Sequence, residues 1–160
     1  NNTITNCDIY AIWCRNIQDI LQISKNNELS VKFQGLNRRS VIFLEECAKP
    51  EIRDNYYITT FNNSGVIPDN APSNMAYGIR IRNGLQSKVF CNATQFLDAG
   101  IVFEGNCSNS YFRYNTMKGE QYGLALVEGG VIGAQGSAGV PSGNIWGVNT
   151  SSITVAQTYV

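Results

Sequence analysis

The chain has 160 residues, 43% of them hydrophobic, and its 12 Lys plus Arg balance 12 Asp plus Glu to a formal net charge of zero. One domain with a packed interior fits that length and content, and the lack of a basic cluster beyond Arg38-Arg39 excludes the electrostatic footprint of a nucleic-acid or anionic-membrane binder. No apolar run approaches the roughly 18 residues of a membrane span, and with no histidine neither a Ser-His-Asp nor a Cys-His nucleophile system can be assembled.

The chain opens Asn1-Asn2-Thr3-Ile4, already in repeat-like sequence, so a mature or excised piece of a longer protein is expected. From Thr3 to Gly35 two irregular coils are predicted: Asn6 aligns with Asn26, and Ile9, Ala11 and Trp13 align with Leu29, Val31 and Phe33 at the same offset. Ile17, Ile20, Leu21 and Ile23 have spacing that permits a helix face, but the neighbouring pattern predicts strand and corner. Ile23-Ser24-Lys25-Asn26 returns as Ile52-Arg53-Asp54-Asn55. Val41-Ile42-Phe43-Leu44 does not alternate, which predicts a strand buried on both sides or packed beneath a loop. From about residue 60 to 76, Asn62-Asn63-Ser64-Gly65, Pro68-Asp69-Asn70 and Pro72-Ser73-Asn74 concentrate turn formers into one long loop. Insertions of this kind project from one face of a solenoid and often carry its binding surface.

The strongest signal follows. Tyr77-Gly78-Ile79-Arg80-Ile81-Arg82 recurs as Ala99-Gly100-Ile101-Val102-Phe103-Glu104 and as Tyr122-Gly123-Leu124-Ala125-Leu126-Val127, at intervals of 22 and 23 residues. Asn92 and Asn115 each precede a repeat glycine by 8 positions. Within each copy apolar residues alternate, which is the strand period. A unit this short cannot bury its own face, so it must stack on copies of itself about 4.8 Å away. Ile79, Ile101 and Leu124 are expected in one interior ladder, and Ile81, Phe103 and Leu126 in the next. Gly78, Gly100 and Gly123 are expected where a Cβ would obstruct a corner, and Asn92 and Asn115 in a stacked asparagine corner. The glycine-rich segment after Gly129 lacks a P-loop or dinucleotide fingerprint. Trp146 and Ile153-Thr154-Val155-Ala156 are expected to cover the last coil, whose open edge would otherwise recruit other chains.

Coil length, asparagine ladder and the Gly-apolar-x-apolar phrase resemble right-handed parallel β-helix proteins. The tail Ile132-Gly133-Ala134-Gln135-Gly136-Ser137 and Pro141-Ser142-Gly143-Asn144-Ile145-Trp146 is similar to the segment closing such helices in secreted surface proteins of Bacteroidota bacteria. The resemblance implies an exported, extracellular or cell-surface β-helix, often one segment of a larger adhesin-like or glycan-handling protein. The resulting expectation is all-β: coils of about 20–23 residues over residues 1–129, the loop at about 60–76, and a closing segment over 130–160. Other segments of the same parent protein are expected partners.

The chemistry is sparse. Cys7, Cys14, Cys47, Cys91 and Cys107 show no C-x-x-C spacing and their number is odd, so neither a metal site nor a complete disulfide framework is expected; Cys91 reads as a buried free thiol. No cofactor is implied. By register Arg82 and Glu104 are outward neighbours, with Arg80, Lys88 and Arg113 nearby; the simplest reading is a solvated ion pair. The functional reading is a shallow groove for polysaccharide or surface glycan, with Arg80, Arg82 and Glu104 on hydroxyls or uronates, Tyr77 and Tyr122 as stacking platforms, and Asp69 from the loop. A glycosidase needs two carboxyls about 5–9 Å apart, and only Asp98 with Glu120 comes near register. No catalytic residue is assigned: a non-catalytic structural or adhesin-like segment is favoured, and a β-helix polysaccharide lyase or glycoside hydrolase is the alternative. No nucleic acid and no membrane insertion are expected.

Overall fold

The computed structural model describes residues 2–32, 39–61, 76–137 and 140–147. Among them there is no helix. The chain passes through three sheets in turn and then repeats one level higher. The first coil is β1 (Thr3–Cys7), β2 (Tyr10–Arg15) and β3 (Ile20–Ser24); the second is β4 (Glu28–Lys32), β5 (Arg39–Glu45) and β6 (Lys49–Arg53). The third is β7 (Ile58–Phe61), β8 (Ala76–Arg82) and β9 (Lys88–Phe90), and the fourth β10 (Ala93–Gln95), β11 (Ala99–Cys107) and β12 (Tyr111–Arg113). The fifth level holds β13 (Thr116–Lys118) and β14 (Tyr122–Ile132), followed by a small antiparallel pair β15 (Gly136–Ser137) and β16 (Val140–Pro141), and β17 (Ile145–Gly147) returns to stack above β13.

Sheet A stacks β1-β4-β7-β10-β13-β17, sheet B β2-β5-β8-β11-β14 and sheet C β3-β6-β9-β12, every neighbouring pair parallel. This is a three-sided parallel solenoid. The expected ladders are present: Ile12, Ile42, Ile79, Ile101 and Leu124 stand in one register column, and Cys14, Leu44, Ile81, Phe103 and Leu126 in another. Sheet C adds Ile23, Ile52, Val89 and Phe112, and sheet A adds Leu29, Ile58, Thr94 and Met117. Alternation sends these side chains inward, where all but those of the terminal coils are buried. Each fully buried side chain of this size contributes on the order of 1.5–3 kcal/mol.

Between sheets C and A the backbone enters each turn through a residue in the left-handed region: Lys25, Asp54, Cys91, Tyr114 and Gly143, with φ from 53° to 65°. An asparagine follows each. The Nδ2 of Asn26 donates to Asn55 Oδ1 at 2.7 Å, Asn55 to Asn92 at 2.9 Å, Asn92 to Asn115 at 3.0 Å and Asn115 to Asn144 at 3.2 Å. The amides of Asn55, Asn92, Asn115 and Asn144 also reach a backbone carbonyl of the preceding coil, as Asn92 does with Ile52 at 2.9 Å. The ladder thus offsets the cost of five left-handed residues, four of which carry a Cβ.

Three expectations need correction. The lowest rung is Asn2, which donates to Asn26 at 3.1 Å, and Ile4 pairs with Leu29 and Cys7 with Val31. Ile9, Ala11 and Trp13 therefore do not align with the Leu29 segment; a corner as short as Asp8-Ile9 let sheet B be mistaken for sheet A. The strand and corner expected over Ile17–Ile23 are present, with Ile20–Ser24 as strand. Coil length is less uniform than 20–23: successive asparagine rungs lie 24, 29, 37, 23 and 29 residues apart. The surplus falls between sheets A and B or in the closing hairpin, places where extra residues leave the stacked strands undisturbed. Of the loop expected over 60–76, Thr60 and Phe61 are strand residues of β7 and Ala76 of β8, and residues 62–75, like Ile153–Ala156, fall outside the described residues.

The glycines act by close approach. None of Gly78, Gly100 and Gly123 has positive φ, but a Cβ on Gly78 would stand 2.5 Å from the Gly100 carbonyl oxygen, and one on Gly100 2.6 Å from Thr94 Oγ1. Gly123 makes room for the Trp146 ring, which pairs above Met117 and lies 6.0 Å from Phe112. Gln135 closes sheet C: its Oε1 accepts from Phe112 N at 2.6 Å and its Nε2 donates to Ser110 O at 2.8 Å.

Candidate functional site

Sheet B presents outward the residues that the repeat singles out. Arg15, Glu45, Arg82 and Glu104 form one register column of alternating charge. Arg80 Nε and Nη2 donate to the two Glu104 oxygens at 2.7 and 3.0 Å, a bidentate pair, and Arg82 Nε donates to the same carboxylate at 2.7 Å. Arg82 also reaches Glu45 at 3.5 Å and Glu128 at 3.6 Å. The hydrogen bond to Glu104 raises the Arg82 pKa above its ordinary value.

The register is as expected, but the solvation is not. The Glu104 side chain is 1% exposed and that of Arg80 6%, so this is a buried cluster rather than a solvated pair. The Arg80 guanidinium lies 4.7 Å over the Phe43 ring and 5.5 Å from Tyr77, which is itself buried. These aromatic faces complete the charge's shell. The non-alternating run Val41–Leu44 follows from the same packing: Ile42 and Leu44 face the core, and Phe43 lies under Arg80. Tyr122 is half-buried with Ala125 and Val127. Asp69 lies outside the described residues. Sheet B therefore brings Arg80, Arg82, Glu104 and Tyr77 together, with the donors of both arginines directed at protein carboxylates.

Asp98 and Glu120 sit at successive levels of the A-to-B corner, and each serves the coil. Asp98 Oδ2 accepts from Ala76 N at 2.6 Å, while burial raises its pKa. Glu120 Oε1 accepts from the Thr94 hydroxyl at 2.6 Å, and burial raises the Glu120 carboxyl from 4.5 to about 7. Among the described residues no group of three His, Cys, Asp or Glu could hold a metal ion, and all five cysteines are free. Cys91 is only half-buried, where a buried thiol was expected; it occupies the left-handed corner position, which points side chains away from the core.

Sheet C carries the open surface. A groove of about 440 Å³ crosses the coils between Ile20, Lys49, Glu51, Gln86, Lys88 and Tyr111, and a second of about 240 Å³ continues it past Phe90, Arg113 and Tyr114. Gln22, Glu51, Lys88 and Tyr111 form one outward column; Ser24, Arg53, Phe90 and Arg113 form the next. Tyr111 is 48% and Tyr114 55% exposed. Glu51 is held by Arg53 at 2.8 Å and only loosely by Lys88 at 3.9 Å. Lys88 and Arg113, expected beside Arg80, are on this different sheet. Repeat spacing assigns a residue to inside or outside but does not say which of three outer faces it lies on. Phe90, Tyr111 and Tyr114 follow no repeated phrase, and only their aromatic character in outward positions could have marked them.

No protein-family model matches the chain, and neither comparison with curated proteins nor comparison with solved structures returns a match.

Proposed function

We propose that this chain is a non-catalytic segment of an exported cell-surface protein with a right-handed β-helix fold, structural or adhesin-like, and that it holds glycan on the outer face of sheet C. One observation carries the proposal: a groove spanning four coils, floored by rigid strands and lined by exposed tyrosines beside charged groups. Flat aromatic faces take the apolar face of a sugar ring, and the charged and amide groups around them serve its hydroxyls. The three-sided solenoid agrees with a segment built to project and bind. Asp98, Glu104 and Glu120, outside this groove, accept hydrogen bonds from protein donors, which favours binding over chemistry.

Affinity electrophoresis through gels containing neutral or acidic polysaccharides tests this. At least one polysaccharide is expected to retard the protein, Tyr111→Ala to reduce the retardation, and no reducing ends or unsaturated products to appear. Retardation by none would refute the binding reading. Product formation abolished by Glu120→Gln would favour the lyase or hydrolase alternative.

A further inference from the structure

We infer that the ligand of sheet C is an anionic polysaccharide, laid along the stack of coils with its acidic groups on Arg113 and Lys88. The inference rests on the glycan-binding reading and adds the ligand's charge and direction. Arg113 has its Nε buried with no hydrogen-bond partner, while its guanidinium lies 5.5 Å from the Tyr111 ring centroid. Nε itself is out of a ligand's reach, but the Nη atoms are open to the groove, and the planar guanidinium edge matches a carboxylate or sulfate in shape. The contrast with sheet B is direct, because there Glu104 takes hydrogen bonds from both Arg80 and Arg82.

The neighbouring charges agree. Lys49, Lys88, Arg53 and Arg113 face this surface, and the carboxylates near them are Glu51 and Asp54. Arg53 engages both, at 2.8 and 2.9 Å. Lys88, its side chain 57% exposed, keeps only the 3.9 Å approach to Glu51. The surface is thus left with positive charge that its own carboxylates do not neutralise, in a chain whose net charge is zero.

Direction follows from the strands. Lys49, Lys88 and Arg113 come from β6, β9 and β12, three consecutive levels about 4.8 Å apart, and each stands two residues further along its strand than the one below, so the cations rise diagonally up the stack and acidic groups recurring along one polymer meet them in succession. A single monosaccharide would reach only one level. Phe90 beside Arg53 and Tyr111 beside Arg113 provide the ring platforms.

The test compares binding of the whole chain to polygalacturonate and to the same polymer with its carboxyls reduced to alcohols, by titration calorimetry at two salt concentrations. Polygalacturonate is expected to bind at least about tenfold more tightly, with affinity falling as salt rises. Arg113→Gln and Lys88→Gln should each reduce that preference. Lys49→Gln, at a fully outward position, provides a variant with little folding risk and should lower polymer affinity. Equal affinity for both polymers would overturn the inference while leaving glycan binding intact, whereas binding of neither would overturn both. Equally tight binding of a single-stranded oligonucleotide would overturn the assignment to polysaccharide.

Discussion

Glu104→Ala isolates the buried charge cluster. The carboxylate is 1% exposed and accepts three hydrogen bonds of 2.7, 3.0 and 2.7 Å, two of them from Arg80, whose side chain is 6% exposed. Removing it strands the Arg80 guanidinium between Phe43 and Tyr77, away from water. Breaking a buried pair in this way costs about 3–5 kcal/mol. Arg82 adds little, because it is 33% exposed and retains Glu45 and Glu128. At about 2–4 °C per kcal/mol for a chain of this size, the melting temperature should fall by roughly 6–20 °C. Thermal and urea unfolding followed by circular dichroism reads this, and the double variant Arg80→Leu/Glu104→Leu should recover most of the loss, because no charge is then stranded. A loss below about 1 kcal/mol, the worth of an exposed pair, would refute the burial argument.

Asn92→Ala removes a central rung that donates to Ile52, Phe90 and Asn115 and accepts from Asn55; with at least one buried partner orphaned, a loss of about 2–4 kcal/mol in urea titration is expected. Asn2→Ala, which removes one end rung, should cost under about 1 kcal/mol, and equal losses for the two would contradict the ladder's role. Gly78→Ala places a Cβ 2.5 Å from the Gly100 carbonyl oxygen and 2.9 Å from Leu97 Cδ1, so a loss of about 1–3 kcal/mol is expected by the same assay; a neutral result would mean that the corner gives way freely. For Glu120 the folded pKa is raised from 4.5 to about 7. The folded state holds this proton more tightly than the unfolded chain, so the group's stabilising contribution is complete below 4.5 and is lost as pH rises through about 7. Glu120→Gln should therefore match the parent in acid and exceed it by up to about 3 kcal/mol at alkaline pH; an identical difference at both pH values would show that Glu120 does not titrate in this window.

The sequence by itself determined the period, and with it the side of the coil on which each repeat residue falls. Ile79, Ile101 and Leu124 are interior because stacking like on like is the one way for so short a unit to bury its apolar face, and that requirement is written in the chain as alternation plus recurrence. The same holds for Asn92, Asn115 and the corner glycines, whose recurrence marks the places where one coil meets the next. What only the tertiary structure decided is where outward residues end up. Arg82 and Glu104 were legible as neighbours, but the burial of Glu104 was not, because it depends on Arg80, seated against Phe43 and Tyr77, closing over the carboxylate. Lys88 and Arg113 could not be placed beside Phe90 and Tyr111 rather than beside Arg80, since corner lengths that vary from coil to coil hide which of the three sheets a residue belongs to. Alternation fixes inside against outside at every strand residue; the corner left-handed residues, only one of them glycine at the C-to-A turns, fix which outer face it is, and their conformation is imposed by the ladder rather than by their own side chains.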